Sequence, residues 1–148
     1  MAKTPTAADA QVILQLYDLR REPEMRKARA WWLGEFWPSS VEDYMKVSGA
    51  MGTPENNWLR QVTGYWEMAA SMVVHGAVSA DLFLEPSFSG EMFFVFAKVT
   101  PFLKELRAKA SPTMLRHVEK VATSTKFSRE FLKRMEGNLA ARRKAMGK

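Results

Sequence analysis

At 148 residues, with 47% hydrophobic side chains and no cysteine, the chain fits one globular domain, and disulfides, thiolate metal sites and thiol nucleophiles are excluded. The most apolar run, Met92 to Leu103, is shorter than the about 20 residues that a membrane-spanning helix needs, and the first residues lack a signal-peptide core, so we expect a cytoplasmic protein. The net charge of +6 is concentrated in residues 104–148, which hold 13 Lys and Arg against 4 Asp and Glu.

Capping residues and prolines delimit the first two helices. Thr6 has the position of an N-cap, and Asp9 lies near the positive end of the helix dipole. Pro23 disfavours helix at the residue before it, so the first helix is predicted to end near Arg20 or Arg21. Pro23 also suits the first turn of a second helix, which is predicted to run to about Phe36. The first helix has the following apolar face: Val12, Ile13, Leu16, Tyr17 and Leu19.

The next two helices are also marked by caps and by apolar periodicity. Ser39 and Glu42 have capping-box spacing, which predicts a short helix over about residues 41–47. Residues 57–76 form the longest segment with one broad apolar face, the pattern of a helix with one buried side. Gly76 is placed to end that helix in the left-handed conformation. The apolar face consists of Trp58, Leu59, Val62, Tyr65, Trp66, Ala69, Met72 and Val73.

The second half of the chain is also predicted to be helical. Residues 79–84 read as a short helical turn, and a long helix is predicted from about residue 87 or 90 to residue 109. Pro101 should bend this helix and leave one carbonyl without its usual donor. Ser111 with the proline after it predicts the restart of a helix, and Ser128 has the position of an N-cap for the last helix.

These elements predict an all-α fold: an irregular or orthogonal bundle of about six to eight helices around a central helix at residues 57–76. The varied helix lengths argue against a regular four-helix bundle. The absence of repeats and long linkers predicts a single domain over residues 1–148. In the last helix Arg142 projects onto the apolar side, so residues from about 140 to 148 are expected to leave the core and become mobile.

Residues typical of catalysis or metal binding are sparse. His75 and His117 are the only histidines, and they lack zinc-site spacing, so a helix-end cation or simple exposure is the favoured role of His75. Glu67, two helical turns after Arg60, either holds helices together or takes part in catalysis. The sequence contains no phosphate-binding glycine motif and no nucleophile elbow. We therefore expect a protein that is not an enzyme and needs no cofactor or metal.

An aromatic cluster provides the leading candidate for a binding surface. Adjacent tryptophans on a helix point about 100° apart, so one buried stripe cannot easily cover both. In one interpretation they pack against two different neighbours, and in the other one ring lies on an exposed patch that binds a protein partner or a second copy. The candidate residues for such a patch are Trp31, Trp32, Phe36 and Trp37. The leading functional hypothesis is a non-enzymatic interaction protein.

Two alternative functions remain open from the sequence. The basic last third is compatible with nucleic-acid binding, although it lacks a helix-turn-helix signature and interleaved aromatic residues. The candidate residues for this function are Lys126, Arg129, Lys133, Arg142, Arg143 and Lys144. The other alternative is a pocket for a small apolar ligand between helices, lined by Trp66, Phe93 and Phe96.

Part of the chain resembles small bacterial helical domains of unknown function. The similar segments are NNWLRQVTGYWEMAASMVVHGAVSADLF, an aromatic helix that ends at a glycine before a short Ser/Asp turn, and FVFAKVTPFLKELR, a helix with an interior proline. The resemblance covers roughly residues 55–108. It implies an all-helical fold, and it provides neither an activity nor functional residues. Related domains often begin with a membrane span, which this sequence lacks, so membrane association is not carried over.

Overall fold

The computed structural model describes residues 3–148, which fold into helices joined by short turns, with no strand in this range. The all-α fold that the sequence predicts is therefore confirmed. The α-helices are α1 (Ala7–Leu19), α2 (Pro23–Ala30), α3 (Val41–Ser48), α4 (Pro54–Val74), α5 (Ala80–Phe83), α6 (Pro86–Val99), α7 (Leu103–Lys109), α8 (Arg116–Ala122) and α9 (Lys126–Ala145). Within residues 3–148, no helix is both long enough and apolar enough to cross a membrane.

Helix α4 is central, as predicted, because α2, α3 and α8 all pack against it. Helix α6 forms a second line of contacts with α8 and α9. Most of the predicted apolar face of α4 lies in the core, while Trp58, Met72 and Val73 are half-buried at its edges. The buried side chains of α4 are Asn56, Leu59, Val62, Tyr65, Trp66, Ala69 and Ala70.

Several helix ends lie where local capping chemistry predicts them. Thr6 caps α1 in a capping box with Asp9, and Arg20 is the first residue beyond the helix. Thr53 accepts a hydrogen bond from the backbone N–H of Asn56 at the start of α4. Gly76 follows α4 with a φ of 79°, which is the left-handed conformation that glycine adopts without steric cost.

Two caps are displaced from their predicted positions. Ser40, and not Ser39, is the N-cap of α3, because the Ser40 hydroxyl accepts from the backbone N–H of Asp43. Thr125, and not Ser128, is the N-cap of α9. Ser128 is the third residue of that helix, and its hydroxyl accepts a hydrogen bond from the backbone N–H of Thr125, which completes a capping box.

The predicted restart at Ser111 occurs later, because residues 112–115 form turns and α8 begins at Arg116. Leu115 adopts a left-handed conformation with a φ of 53°. Its side chain is nevertheless buried, so packing holds a non-glycine residue in a conformation that local preference disfavours. A non-local contact from α4 caps the start of α8, as described below.

Pro101 interrupts the long helix as predicted. A 3-10 turn over Thr100–Phe102 separates α6 from α7. The carbonyl of Ala97, which is predicted to lose its backbone donor, accepts a hydrogen bond of 3.1 Å from the Thr100 hydroxyl. The same hydroxyl donates to Glu136 of α9 at 2.8 Å. Thr100 therefore compensates for the proline and links the bend to the last helix.

The end of the chain contacts the core through two arginines. Helix α9 continues to Ala145, and Arg143 donates a hydrogen bond of 2.6 Å from Nη2 to the backbone carbonyl of Lys98 in α6. The guanidinium carbon of Arg142 lies 5.9 Å from the centre of the Trp37 ring. The long side chains of these two arginines therefore reach back to the core, while the mobility expected for residues from about 140 to 148 stays a prediction.

Candidate functional site

The four aromatic residues proposed as a partner-binding patch are all buried. Trp32 is fully enclosed, and Trp31, Phe36 and Trp37 each expose less than a tenth of their surface. The Trp31 ring stacks on Phe36 at 4.4 Å and lies 6.2 Å from Trp58 of α4, whereas Trp37 lies edge-on to Phe94 of α6 at 6.1 Å. The interpretation with an exposed ring is therefore wrong, and packing against different neighbours describes the cluster.

A π-helical turn over Trp31–Glu35 lets the chain bury both adjacent tryptophans. The turn is closed by a hydrogen bond of 2.9 Å from the Phe36 N–H to the Trp31 carbonyl, five residues apart. This wider turn rotates the following side chains relative to a continued α-helix. A single apolar stripe of an α-helix cannot cover such a cluster, which is why the sequence periodicity did not predict it.

Lys98 of α6 is a buried cation that the sequence analysis did not identify as important. Its side chain is fully enclosed, and Nζ donates hydrogen bonds to the backbone carbonyls of Trp32 and Phe36. Nζ also lies 3.9 Å from the centre of the Trp37 ring and 4.7 Å from that of Phe94. Burial, assisted by nearby positive charges on the C-terminal segment, lowers the pKa of Lys98 to about 7. The enclosed amine thus joins the π-turn to α6.

The basic residues of α9 divide into two groups. Lys126, Arg129, Lys133 and Lys144 are exposed on the side away from the buried Leu132 and Leu139. This arrangement presents positive charge to solvent. The two remaining candidates, Arg142 and Arg143, make the contacts with Trp37 and Lys98 described above. Arg143 is half-buried, so it is less available to a ligand than the four exposed residues.

The net positive charge of the protein belongs to α9 and the residues after it. Residues 126–148 carry eight Lys and Arg against two Asp and Glu, whereas residues 1–125 carry fourteen of each. One of the two acidic side chains, Glu136, is engaged by Thr100. The exposed surface of α9 is thus a basic feature attached to an otherwise neutral chain.

The fold brings together the two histidines, which are far apart in the sequence. His75 follows the end of α4, His117 lies in the first turn of α8, and their ring centroids are 5.8 Å apart. His117 Nδ1 is 2.7 Å from Glu67 Oε2, and His75 Nδ1 is 2.8 Å from the Ser71 carbonyl. Sequence spacing gave no signal for this pair, because the two helices that carry the rings meet only through the tertiary fold.

Glu67 also accepts hydrogen bonds from the backbone N–H groups of His117 and Val118, at 3.1 to 3.2 Å. These are free donors at the start of α8, so a carboxylate on α4 acts as the cap that the local sequence does not supply. Of the two roles considered for Glu67, the structure shows the one in which it holds helices together. Arg60 instead bonds Asn56.

The surface of α1 carries apolar side chains that the domain does not cover. Of the predicted apolar face only Leu16 is buried, while Val12 and Ile13 are half-buried and Tyr17 and Leu19 are exposed. This prediction is therefore wrong for Tyr17 and Leu19. Polar interactions set the orientation of α1, because the Tyr65 hydroxyl donates to the Leu16 carbonyl.

A second apolar stripe on α1 is defined by four residues at helical spacing: Ala10, Ile13, Leu14 and Tyr17. Leu14 is 67% exposed, Tyr17 is 44% exposed, and Ala10 and Ile13 are half-buried. Ile13, Leu14 and Tyr17 line a shallow cleft of about 330 Å³ together with Ser87 and Phe88 at the start of α6. The α1 stripe is therefore a partly open apolar surface beside a small groove.

The three rings proposed for an apolar-ligand pocket are core residues. Trp66, Phe93 and Phe96 each expose at most 2% of their surface. Trp66 packs edge-on against Phe83 and Phe88, and Phe93 packs edge-on against Phe131 of α9. The rings thus fill the space between helices with one another, and an apolar ligand at this position stays an untested prediction.

The geometry defines an all-helical domain in which charged and polar side chains mainly connect helices. Within residues 3–148, no group of three or more His, Cys, Asp or Glu side chains is placed to hold a metal ion. The model of a family described as a domain of unknown function, DUF4760, matches residues 5–125. The chain belongs to this family. The resemblance seen in the sequence to a small domain of unknown function is thereby confirmed, while a bacterial origin stays a prediction.

No curated protein and no solved structure matches the chain. The family match ends at Thr125, which is the N-cap of α9. The basic helix, whose charge distinguishes it from the rest of the chain, therefore lies beyond the matched residues. The α1 stripe and the histidine pair both lie within them.

Proposed function

We propose that this protein is a non-enzymatic helical module that self-associates through α1. The observation that carries the proposal is the α1 stripe, which leaves Leu14 and Tyr17 exposed in a chain whose other large apolar side chains are mostly buried. Exposed apolar surface of this kind is typical of interaction sites. The proposed interaction surface therefore lies on α1, and not at the tryptophan cluster that the sequence suggests.

The spacing of the α1 stripe favours a second copy of the chain as the partner. The four residues are symmetric about a point between Ile13 and Leu14, because Ala10 lies three positions before Ile13 and Tyr17 lies three positions after Leu14. A two-fold axis at that point pairs two antiparallel α1 helices, with the small Ala10 of each copy facing the large Tyr17 of the other. Small opposite large is the arrangement that lets two helices interdigitate.

The cleft beside α1 provides a place for a side chain of the second copy. Leu14 is the most exposed residue of the stripe, and it projects beside the groove formed by Ser87 and Phe88. Helix α1 has 13 residues, so we expect one such helix from each copy to bury less area than the about 1,200 to 2,000 Å² of a stable interface. We therefore expect a weak dimer, with a dissociation constant in the micromolar range.

Sedimentation velocity over a wide concentration range tests this proposal. The expected result is a monomer–dimer equilibrium that Leu14→Glu shifts to monomer. Met51→Glu is the matched control, because Met51 is 72% exposed and lies in the turn between α3 and α4. Circular dichroism should show the same helix content for both variants. A chain that stays monomeric at the highest soluble concentration, or a Met51→Glu variant that dissociates equally, would contradict self-association through α1.

The exposed basic face of α9 favours nucleic-acid binding as a second candidate function. Lys126, Arg129, Lys133 and Lys144 place positive charge along one helix side, and few acidic residues offset it. Contacts of this type bind phosphates without reading bases, so affinity should fall steeply as salt rises. A cytoplasmic location is part of both proposals and is open to cell fractionation.

A titration of fluorescent single-stranded and duplex DNA and RNA at low salt tests the second candidate. Replacing Lys126, Arg129 and Lys133 with Gln should weaken binding and reduce the salt slope by about 2 to 3. The matched control replaces Arg21, Arg26 and Lys46 with Gln, which removes equal charge from exposed positions elsewhere. Equal loss in both triple variants would mean that overall charge, and not α9, attracts the nucleic acid.

A further inference from the structure

We propose that the cleft between the C-terminal end of α4 and the start of α8 is a binding site for a phosphate group. The cleft has a volume of about 290 Å³. Its lining contains Val74 and four basic side chains: His75, Arg116, His117 and Lys120. No acidic side chain belongs to this lining, although the chain carries 16 Asp and Glu. The composition of the cleft therefore favours an anion.

Both imidazoles are held with one ring nitrogen already occupied. The Ser71 carbonyl only accepts hydrogen bonds, so the Nδ1 of His75 carries the hydrogen that joins them at 2.8 Å. The Nδ1 of His117 donates in the same way to the Glu67 carboxylate at 2.7 Å. In each neutral ring Nε2 is consequently the unprotonated nitrogen. Protonation turns both Nε2 atoms into donors that an anion can use.

The surrounding charges explain why an anion is preferred to a metal ion. Arg116 and Lys120 of α8 are exposed cations at the same cleft, and they repel a divalent metal from the imidazole pair. From α4 the facing acidic group is Glu67, whose oxygens already accept from two backbone N–H groups and the His117 ring. Glu67 thus orients His117 and leaves the two cations of α8 to attract the ligand.

A neighbouring cleft indicates where the remainder of a phosphate ester would lie. This second cleft, of about 490 Å³, shares Arg116 and His117 with the first, and its other lining side chains are those of Glu67, Met68, Ser71 and Thr113. The Ser71 hydroxyl already donates to the Met68 carbonyl and the Thr113 hydroxyl is bonded to that of Ser111, so both oxygens can still accept a hydrogen bond from a polar ligand group. The two clefts together suit a phosphate attached to a small polar group, while free inorganic phosphate needs only the first.

Nuclear magnetic resonance of the histidine rings tests the site directly. Inorganic sulfate is the first probe, because it stays a dianion between about pH 6 and pH 8, the range in which imidazoles gain their proton. We expect sulfate at about pH 6 to shift the ring signals of both His75 and His117. Unchanged ring signals at tens of millimolar sulfate at about pH 6 would overturn the proposal.

Charge-removing variants then separate the cleft from general electrostatic attraction. Arg116→Gln combined with Lys120→Gln leaves the buried core intact, because both side chains are exposed, and should weaken sulfate binding about fivefold or more. The matched control combines Lys133→Gln with Lys144→Gln on α9. An equal weakening in the control variant would overturn the site, because it would assign the attraction to net charge.

Titrations with inorganic phosphate and with glycerol 2-phosphate distinguish the two sources of the phosphate group. Tighter binding of glycerol 2-phosphate, with signal shifts at Ser71 and Thr113, supports a phosphate ester that spans both clefts. Equal binding confined to the histidine cleft supports free phosphate. The absence of binding by both probes, at a pH at which sulfate also fails to bind, contradicts the site.

Discussion

The carboxylate of Glu67, near the middle of α4, accepts hydrogen bonds from both the backbone N–H and the ring Nδ1 of His117, fifty residues later in the chain. This contact caps α8 and fixes the orientation of the histidine. It also joins α4 to α8, the two helices with the most extensive mutual contact in the fold. One side chain therefore links the central helix, the start of α8 and the proposed phosphate site.

Replacing Glu67 with Ala should lower the free energy of unfolding by about 2 kcal/mol, because the donors at the start of α8 lose their acceptor. Glu67→Gln keeps one acceptor oxygen and should cost about half as much. Urea denaturation followed by circular dichroism measures both values. Glu130→Ala, on the exposed side of α9, is the control and should change little. A Glu67→Ala variant as stable as the control would contradict the cap.

The lowered pKa of Lys98 predicts that the free energy of unfolding rises with pH. Burial lowers its pKa in the folded protein to about 7, whereas the unfolded value is near 10.5. Between these values the unfolded chain binds more protons than the folded chain, so unfolding becomes less favourable as the pH rises. This group alone should add about 2 kcal/mol to the free energy of unfolding between pH 7 and pH 9.

The control for this pH effect is Lys98→Met, which retains the apolar stem without a titrating group. The difference between wild type and variant should grow in favour of wild type from about pH 7 to about pH 9. Measurements above about pH 10 are avoided, because burial also raises the pKa of Tyr44 and the unfolded tyrosine ionises first. Parallel pH profiles for the two proteins would refute the assignment to Lys98.

Asn56 is a buried polar residue whose amide closes the end of α3. Its Nδ2 donates to the backbone carbonyls of Val47 and Ser48, at 3.1 and 2.9 Å. Asn56→Asp keeps the shape of the side chain and removes both donors, so we expect a loss of about 3 kcal/mol in the free energy of unfolding. Asn57→Asp is the matched control at a half-buried neighbour. Equal stability of the two variants would show that these hydrogen bonds contribute little.

Arg20 anchors α1 to the rest of the protein. Its guanidinium donates to the Phe88 carbonyl and the Tyr65 hydroxyl, and its central carbon lies 4.7 Å from the centre of a Trp66 ring. Arg20→Met keeps an apolar stem and removes these interactions, so local opening of α1 should be favoured by about 2 kcal/mol. Hydrogen exchange of the α1 amides should then be about thirtyfold faster.

The control for this local effect is Arg21→Met, because Arg21 lies next to Arg20 but its side chain is 77% exposed. In the Arg21→Met variant the α1 amides should exchange at the wild-type rate. Faster exchange throughout the protein in Arg20→Met would point to global destabilisation, and unchanged exchange in α1 would show that other contacts anchor this helix.

Local interactions account for the parts of the fold that could be predicted. Thr6 and Asp9 lie within one helical turn, and Gly76 ends α4 because glycine tolerates a positive φ. Even the errors at Ser39 and Ser128 are small, because each stretch offers two hydroxyl side chains near the helix start. In the structure the hydroxyls of Ser40 and Thr125 are the ones that accept from the backbone N–H groups of the first turn.

The candidate sites were harder to predict, since they depend on residues from different helices. Exposed Tyr17 and Leu19 looked like part of one buried apolar face, because periodicity describes a helix without saying which side its neighbours cover. Lys98 lies within the apolar run Met92 to Leu103, and only the fold brings its amine to the carbonyls that the π-turn supplies. His75 and His117 carried no spacing signal at all.

The sequence by itself determined the all-helical class, the central position of α4 and the proline bend between α6 and α7. Capping groups, apolar periodicity and the proline ring act within a few residues, so they are readable along the chain. Only the tertiary structure decided that the tryptophans are buried, that α1 keeps an apolar side open and that Glu67 meets His117. These outcomes depend on which helix faces pack against one another. Such contacts join segments that are distant in the sequence, so they are determined by the packing of the whole chain.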